Sequence, residues 1–576
     1  MEISTILVAS LTNIRIMSKT IKINCSNIGQ SRLFPVGVSL FEMSEILREE
    51  GLLSFEPIAA LVNYKAENLS TEIYHPSQVE FIDIDRQEGM RVYTRTLTFL
   101  LGAAVNELYP QGRFCIEHSV SNGFFCHLHL NKKVSADDLD AIKKRVHELA
   151  AADIPIQQVE EETTTVIELF REKGRQDLVK LLSSYGHLYT HYTRMGEHID
   201  HFYGPLACST KRITTFDIEP YPGEKEGFLL RVPDPNNPQE LKEYIPQPKM
   251  FGIFKEFVQW NELLGQSTIG DINESCIRGE AENLIKVSEA LQEKRVAQIV
   301  DTILAQKQRK RIILVSGPSS SGKTTFSKRL SVQLAVMGIK PIAISLDDYF
   351  LEREQTPLDE KGDYDYESLY ALDLDLFNQD LNNLLQGKEV IVPRYDFSLG
   401  KKEFLEERKI HLEDNQVLIL EGIHALNPEL LPKVSPDVLF KIYVSALTSI
   451  SLDDHNRIAT TDNRLIRRMI RDAQYRGTPA RSTIARWKSV RAGEDKWIFP
   501  YQENADVFFN SALSFELLVL KRYAEPVLRS VPQNCPEYAE ANRLLRFLDY
   551  IATVADNEIP PTSLLREFVG GSSFNY

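Results

Sequence analysis

Residues 317–325, GPSSSGKTT, follow an apolar run, Ile312 to Val315, and precede a helix-forming run, FSKRLSVQLAVMG. Glycines and small serines let successive backbone N–H groups curl around phosphate oxygens, and a helix start adds the positive end of its dipole. The candidate nucleotide-binding residues are therefore Gly317, Pro318, Ser319, Ser320, Ser321, Gly322, Lys323, Thr324 and Thr325. Lys323 is expected to reach the β and γ phosphates, and the Thr324 hydroxyl to sit on Mg²⁺, so ATP and Mg²⁺ are the expected cofactors. Two acids close later apolar runs: Asp347 in PIAISLDDYF and Glu421 in NQVLILEG. One carboxylate there can organise Mg²⁺ through water, while the other can take a proton from an attacking hydroxyl. The competing reading of each is an acid that only caps the next helix. In RLIRRMIRDAQYRG, Arg468 and Arg471 are three residues apart on one helix face. Such arginines can fold over the phosphates and stabilise charge on a transferred phosphoryl group; a solvated basic face paired with acids is the alternative.

These groups meet only if something places them at one edge. Buried apolar runs alternating with helical patterns predict an α/β P-loop fold over residues 311–525, a parallel sheet with flanking helices. Ligands bind beyond the carboxyl ends of such strands, which is where both acids fall. Before this lie N-terminal α+β domains, and the 576-residue length asks for more than one core. Residues 1–18 read as a tail or a start-site extension, with Met17 a natural alternative start. Residues 19–87 form a small α+β unit and residues 88–250 a second one, bounded by the proline-rich VPDPNNPQELKEYIPQPK. Residues 251–310 read as a helical linker and 526–576 as a helical tail, whose Phe574 and Tyr576 favour docking as much as fraying.

The motifs GPSSSGKTT, SLDDYF, YDYESLYALD, VPRYDF, LILEGI, RLIRRMIRDAQYRG and ADVFFNS resemble the uridine kinase and phosphoribulokinase family over about residues 311–515. The resemblance implies phosphoryl transfer from ATP to an alcohol, with a nucleoside as the small-molecule acceptor. By that likeness Asp347 is the general base, with Lys323, Arg468 and Arg471 completing the catalytic set. Thr324 and Glu421 hold Mg²⁺, Arg476 joins the ATP site, and Glu367, Tyr349 and Tyr395 form the acceptor site. The sequence departs from the family at Gly400, where a pyrimidine-reading His is expected, at Thr478, and in the inverted pair Tyr349-Phe350. A site that loses a donor loses discrimination, so a sugar phosphate or cyclitol remains open as acceptor.

Residues 19–250 resemble the N-terminal region of threonyl-tRNA synthetase, a TGS-type domain followed by an editing-type domain. The likeness runs through RTLTFLLGAAVNELYP and HIDHFYGPLACSTKRITTFDI. Where that family carries two metal-type pairs, this chain has Arg95 and Phe99, then Phe202 and Leu206. Two aromatics, an aliphatic and an arginine cannot bind a metal or activate water, so editing chemistry is expected to be lost. Cys115, His118, Cys126, His127 and His129 cluster in sequence; they read as a metal set or, more commonly, as packing. His187, His191, His198 and His201 read as pocket or surface residues. RNA binding by this half, an RNA- or ribosome-binding regulator that uses ATP as a switch, and a homo-oligomer stay open.

The net charge of −15 argues against a general nucleic-acid coat or an anionic-membrane binder. The six scattered cysteines form no CxxC pair and fit reduced thiols in the cytoplasm. No run of 18 or more apolar residues is present, so no membrane span is expected.

Overall fold

The computed structural model describes residues 19–130, 132–359 and 362–576; the expected extension over residues 1–18, with Met17, lies outside the described residues. Residues 20–82 fold into a five-stranded sheet. Its first strand, Thr20–Cys25, alternates exposed and buried positions, so one face meets a core built around Ile23, Leu40, Leu47 and Val79. The 22-residue helix α1 (Gln87–Leu108) follows, buried along most of its length. It packs, with Ala136–Ala151, on an antiparallel sheet ordered 217–220, 227–231, 123–129, 113–120. Residues 157–200 add a three-stranded sheet and two helices.

The stretch read as a linker is helical throughout much of its length: Pro248–Leu264, Ile269–Ile277 and α2 (Ala281–Leu304). Its apolar faces are packed, with Ile272, Leu284, Val296 and Ile303 in a large core shared with the segments on either side.

Five strands then form one parallel sheet: β1 (Ile312–Ser316), β2 (Lys340–Ser345), β3 (Gln416–Glu421), β4 (Leu439–Ser445) and β5 (Val507–Asn510). The order is β2-β3-β1-β4-β5. Every residue of β1 is buried, as an interior strand covered on both faces requires. Helices α3 (Lys323–Val336), α4 (Thr460–Tyr475) and α5 (Ala480–Trp497) flank the sheet. This is the expected α/β architecture. The register pairs Val315 with Glu421 and Ser345 with Glu421, so the loop after β1 and the acids after β2 and β3 emerge side by side.

Residues 516–569 close the kinase-type unit with three further helices, and Leu528, Leu544, Phe547, Leu564 and Phe568 join the shared core. Among the described residues no helix is long and apolar enough to cross a membrane.

Candidate active site

The loop after β1 wraps the start of α3. Gly322 stands at its N-cap with φ of 83°, a conformation that costs an L side chain, and a Cβ there would come 2.5 Å from Leu564. No side chain caps α3, so its first N–H groups face the loop. Among the described residues, the buried hydroxyls of Ser320 and Ser321 have no hydrogen-bond partner, and Lys323 Nζ donates only a 3.3 Å bond to the Pro318 carbonyl. Buried polar atoms are normally paired, and this orphaned set of donors around a helix start matches the needs of a polyphosphate. ATP fits the residues present.

Thr324 Oγ1 donates to the Glu421 carboxylate at 3.2 Å. Burial raises Glu421 to about 7, against the pull of Lys323 and with a push from Asp347 and Glu567. Burial also raises Glu367 to about 7, with Arg468 and Lys323 opposing and Asp347 adding. Desolvation by the surrounding protein raises the Asp347 carboxyl above its ordinary value, with Asp348 adding and Lys323, Arg476 and Arg471 opposing. Asp347, Glu367 and Glu421 thus share one field with Lys323 and the arginines of α4, where sequence reading put them. Thr324 beside Glu421 is an oxygen-rich pair suited to a hydrated Mg²⁺.

The ligand-free site should therefore weaken the fold as these acids ionise. For Glu421 the unfolded value is near 4.5 and the folded value about 7. Between those pH values the unfolded chain holds fewer protons, so stability falls as pH rises. Glu421→Gln is expected to melt with wild type at pH 4 and to exceed it by about 1–3 kcal/mol at pH 8 without added metal. Thermal melts across pH test this, and a gap that closes as pH rises would contradict it.

Arg468 Nη1 donates to Ser319 Oγ at 3.0 Å, and Arg464 Nε donates to the Ser319 carbonyl at 3.0 Å. Arg468, Arg471 and Arg476 surround the Asp472 carboxylate at 3.4, 3.2 and 3.4 Å. The fan stands over the loop. Arg464 and Arg467, which sequence reading passed over, are almost wholly buried, paired with Glu494 and Glu516. Their spacing on the helix offered a signal; the acids that neutralise them are distant in sequence.

Tyr349, expected in the acceptor site, turns inward instead. Its ring packs edge-on against Phe377 and its hydroxyl donates to Asp380 at 3.1 Å. The neighbouring Phe350 faces the cleft side, 5.7 Å from Tyr395 and 5.8 Å from Phe397. The inverted pair thus presents Phe where Tyr was expected. The Tyr395 hydroxyl is buried without a hydrogen-bond partner, leaving one polar group aimed among aromatic rings. Gly400 has φ of 70°, and a Cβ there would lie 2.8 Å from Arg353. Arg353, also missed in the sequence, occupies that space and donates to the Phe397 carbonyl at 2.8 Å.

The segment 563–576 reaches the same loop. Thr325 Oγ1 donates to Glu567 at 2.6 Å and lies 2.9 Å from the Tyr576 hydroxyl. Of the two readings of Tyr576, docking or fraying, the structure shows docking, against Thr325 beside the protein's own nucleotide loop. Phe574 has its N–H bonded to Ser572.

In the N-terminal half, the two sequence-distant pairs come together as three apolar side chains and one arginine. Phe99 meets Phe202 edge-on at 6.1 Å, Leu206 is buried beside them, and Arg95 donates to the Pro205 carbonyl at 2.9 Å. His127 bonds Glu117 at 2.9 Å and its ring lies tilted against that of His129, while His118 packs on Phe254. Among the described residues no group of three or more His, Cys, Asp or Glu side chains is placed to hold a metal. His201 is buried and bonds the Tyr550 hydroxyl at 2.9 Å; His187 and His191 pair with Asp549 and Glu160 at the surface.

A phosphate-cradling loop at the edge of a parallel sheet, with acids at neighbouring strand tips and an arginine helix above, makes the C-terminal half a P-loop kinase. A family model described as Phosphoribulokinase / Uridine kinase family matches residues 312–516. A uridine kinase of Halalkalibacterium halodurans is 32% identical over 215 residues, which cover 36% of this chain and 92% of that protein. The chain belongs to the phosphoribulokinase/uridine kinase family. A threonine–tRNA ligase of Syntrophotalea carbinolica is 31% identical over 206 residues, 34% of this chain, and the likeness lies in the N-terminal part. The chain spans about a third of that ligase, 32% of its length. A solved structure described as a possible uridine kinase from Bacillus stearothermophilus aligns with 38% of this chain and 98% of its own, at 22% identity and a TM-score of 0.27.

Proposed function

We propose that the chain transfers the terminal phosphoryl group of ATP to a hydroxyl of a nucleoside. The observation that carries this reading is the convergence of Asp347, Glu367 and Glu421 on Lys323, next to the aromatic wall of Phe350, Tyr395 and Phe397. Bound MgATP supplies the phosphoryl donor and a divalent charge. Lys323 and the loop N–H groups hold the phosphates, with Thr324 and Glu421 on the metal side. Arg468, Arg471 and Arg476 face the region where charge spreads in transfer. Asp347 takes the proton of the acceptor hydroxyl, and its raised pKa brings it nearer the working pH of a general base. Glu367 offers acceptor oxygens to neighbouring sugar hydroxyls, and the aromatic wall stacks a ring.

A sugar phosphate or cyclitol is the second reading, favoured by one feature. Arg353 stands beside Gly400 and interacts with Tyr366, which puts a cation at the rim of the acceptor pocket. ADP release with MgATP against nucleosides, pentose phosphates and cyclitols separates the two. Turnover on a nucleoside supports the first reading, and turnover on a pentose phosphate alone supports the second. ATP binding without turnover on any acceptor would shift the case to a regulator that uses ATP as a switch.

The contact of Glu567 with Thr325 makes a further expectation. A carboxylate hydrogen-bonded inside a phosphate cradle opposes an incoming polyphosphate. Glu567→Gln should bind ATP roughly three- to tenfold tighter, on the scale of one pKa-sized interaction. A fluorescent ATP analogue measures this, and weaker binding would show that Glu567 supports the cradle instead.

A further inference from the structure

A cavity of about 490 Å³ opens between the N-terminal half and the kinase, and Asp347, Glu367 and Glu421 are not among the residues that line it. That volume suits a ligand of nucleotide size. On one side it is lined by α1 and the strand 113–120, and on the other by the segment 445–464, which ends β4 and starts α4.

The charge on its walls does not balance. Arg91 and Arg543 pair with Glu540 and Asp462. Arg464 and Arg491 pair with Glu494 and Asp495. Those four cations meet four carboxylates and are spent. Arg95, Lys242 and Arg457 also line the cavity and have no ion-pair partner among the described residues. Arg95 is bonded only to the Pro205 carbonyl, and Arg457 lies over the Phe124 ring at 4.7 Å. Burial lowers the pKa of all three, opposed at Arg457 by Asp462 and at Lys242 by Asp234 and Asp495, none of them within ion-pair distance.

Two nearly inaccessible polar groups also lack hydrogen-bond partners among the described residues, although His118 Nδ1 lies 3.8 Å from the Glu117 carboxylate. His118 is 3% exposed and neither ring nitrogen has a hydrogen bond; Thr448 is 8% exposed and its hydroxyl has none. Both line the cavity. Helix α4 starts there at Thr460 with no side-chain cap; the Asp462 and Asn463 N–H groups bond the Ala459 carbonyl, and those of Thr460 and Thr461, which both line the cavity, have no hydrogen bond among the described residues. The stack of His118 on Phe254, 4.0 Å between centroids and 9° apart, shows a flat apolar surface beside the cations.

We propose that this cavity binds a small phosphorylated molecule, its anionic group held by Arg457 and the start of α4 and its ring against the aromatic side. Occupancy reaches the nucleotide loop along α4, because Arg464, one helix turn on, lines the cavity and also donates to the Ser319 carbonyl. That coupling, unlike the binding, rests on the kinase reading. An RNA end would need the same cations, but the acidic chain and the enclosed volume favour a small ligand.

The test uses the full chain carrying Lys323→Met, so that the nucleotide loop does not compete. AMP and inorganic pyrophosphate are titrated calorimetrically. Both are expected to bind at one equivalent, AMP the tighter, with Arg457→Gln weakening each at least tenfold and Arg457→Lys far less. Lys242→Gln, at the cavity rim, should weaken both severalfold and guards against a misfolded Arg457 variant. The Trp487 ring lies 5.4 Å from the Arg464 guanidinium. AMP should therefore change tryptophan fluorescence, and Trp487→Phe should abolish the change. The proposal fails if neither probe binds at millimolar concentration, or if folded Arg457→Gln binds as before. It also fails if a single-stranded RNA end binds through Arg457 and neither small probe does.

Discussion

Asp347→Asn is expected to lower turnover about 10³-fold, within the range for losing a general base, while the affinity for ATP changes less than about threefold. The separation follows from position. Asp347 sits at the tip of β2, facing Lys323 and the arginines of α4 through space, and makes no side-chain contact that holds the loop. Asparagine keeps its size and cannot take the proton. ADP release on whichever acceptor is turned over, alongside an ATP-analogue titration, reads both numbers. A variant that keeps a tenth of the rate would remove Asp347 from the chemistry and leave Glu367 as the candidate base.

Arg175→Ala is expected to cost roughly 3–5 kcal/mol, the range for removing one partner of a buried ion-pair network. Arg175 lies between Asp177 at 2.7 Å and Asp200 at 2.9 Å, and is 3.2 Å from the His455 ring. His455 and Asp200 close the set at 2.5 Å, and Arg113 pairs with Asp454 at 2.6 Å. Asp177 and Asp200 are held well below the ordinary carboxylate range, chiefly by their cationic neighbours working against burial. Without Arg175 those carboxylates lose their main counter-charge. Urea unfolding measures the effect, and Arg175→Ala with Asp200→Asn should recover part of it. A loss below about 1 kcal/mol would mean that water or His455 supplies the charge instead.

The sequence revealed the kinase half wherever chemistry lies in contiguous motifs. GPSSSGKTT, the strand-tip acids and the arginine helix are each local, and the parallel sheet brings their ends together by topology alone. Tyr349 was misplaced because alternate residues after β2 face opposite ways, and a one-residue inversion exchanges cleft for core. Arg353 at the Gly400 position was not legible, since the two are 47 positions apart and meet through a tertiary turn. The same limit hid Glu567 on Thr325, 242 positions away. The N-terminal half was readable as a likeness and as a loss: Phe99, Phe202 and Leu206 form a hydrophobic contact. The cavity beside them was not readable, because half of its wall comes from residues 443–543, far along the chain.

One core runs through residues from both sides of the chain: Val166, Phe170 and Leu181 from the ligase-like half, Ile272 and Val296 between, and Phe326, Ile466 and Phe547 beyond. Cutting anywhere between residues 200 and 310 would expose apolar faces that have no other cover. A fragment beginning at residue 311 would aggregate rather than behave as a free-standing kinase. Neither half can therefore be removed without uncovering the core that the other shares.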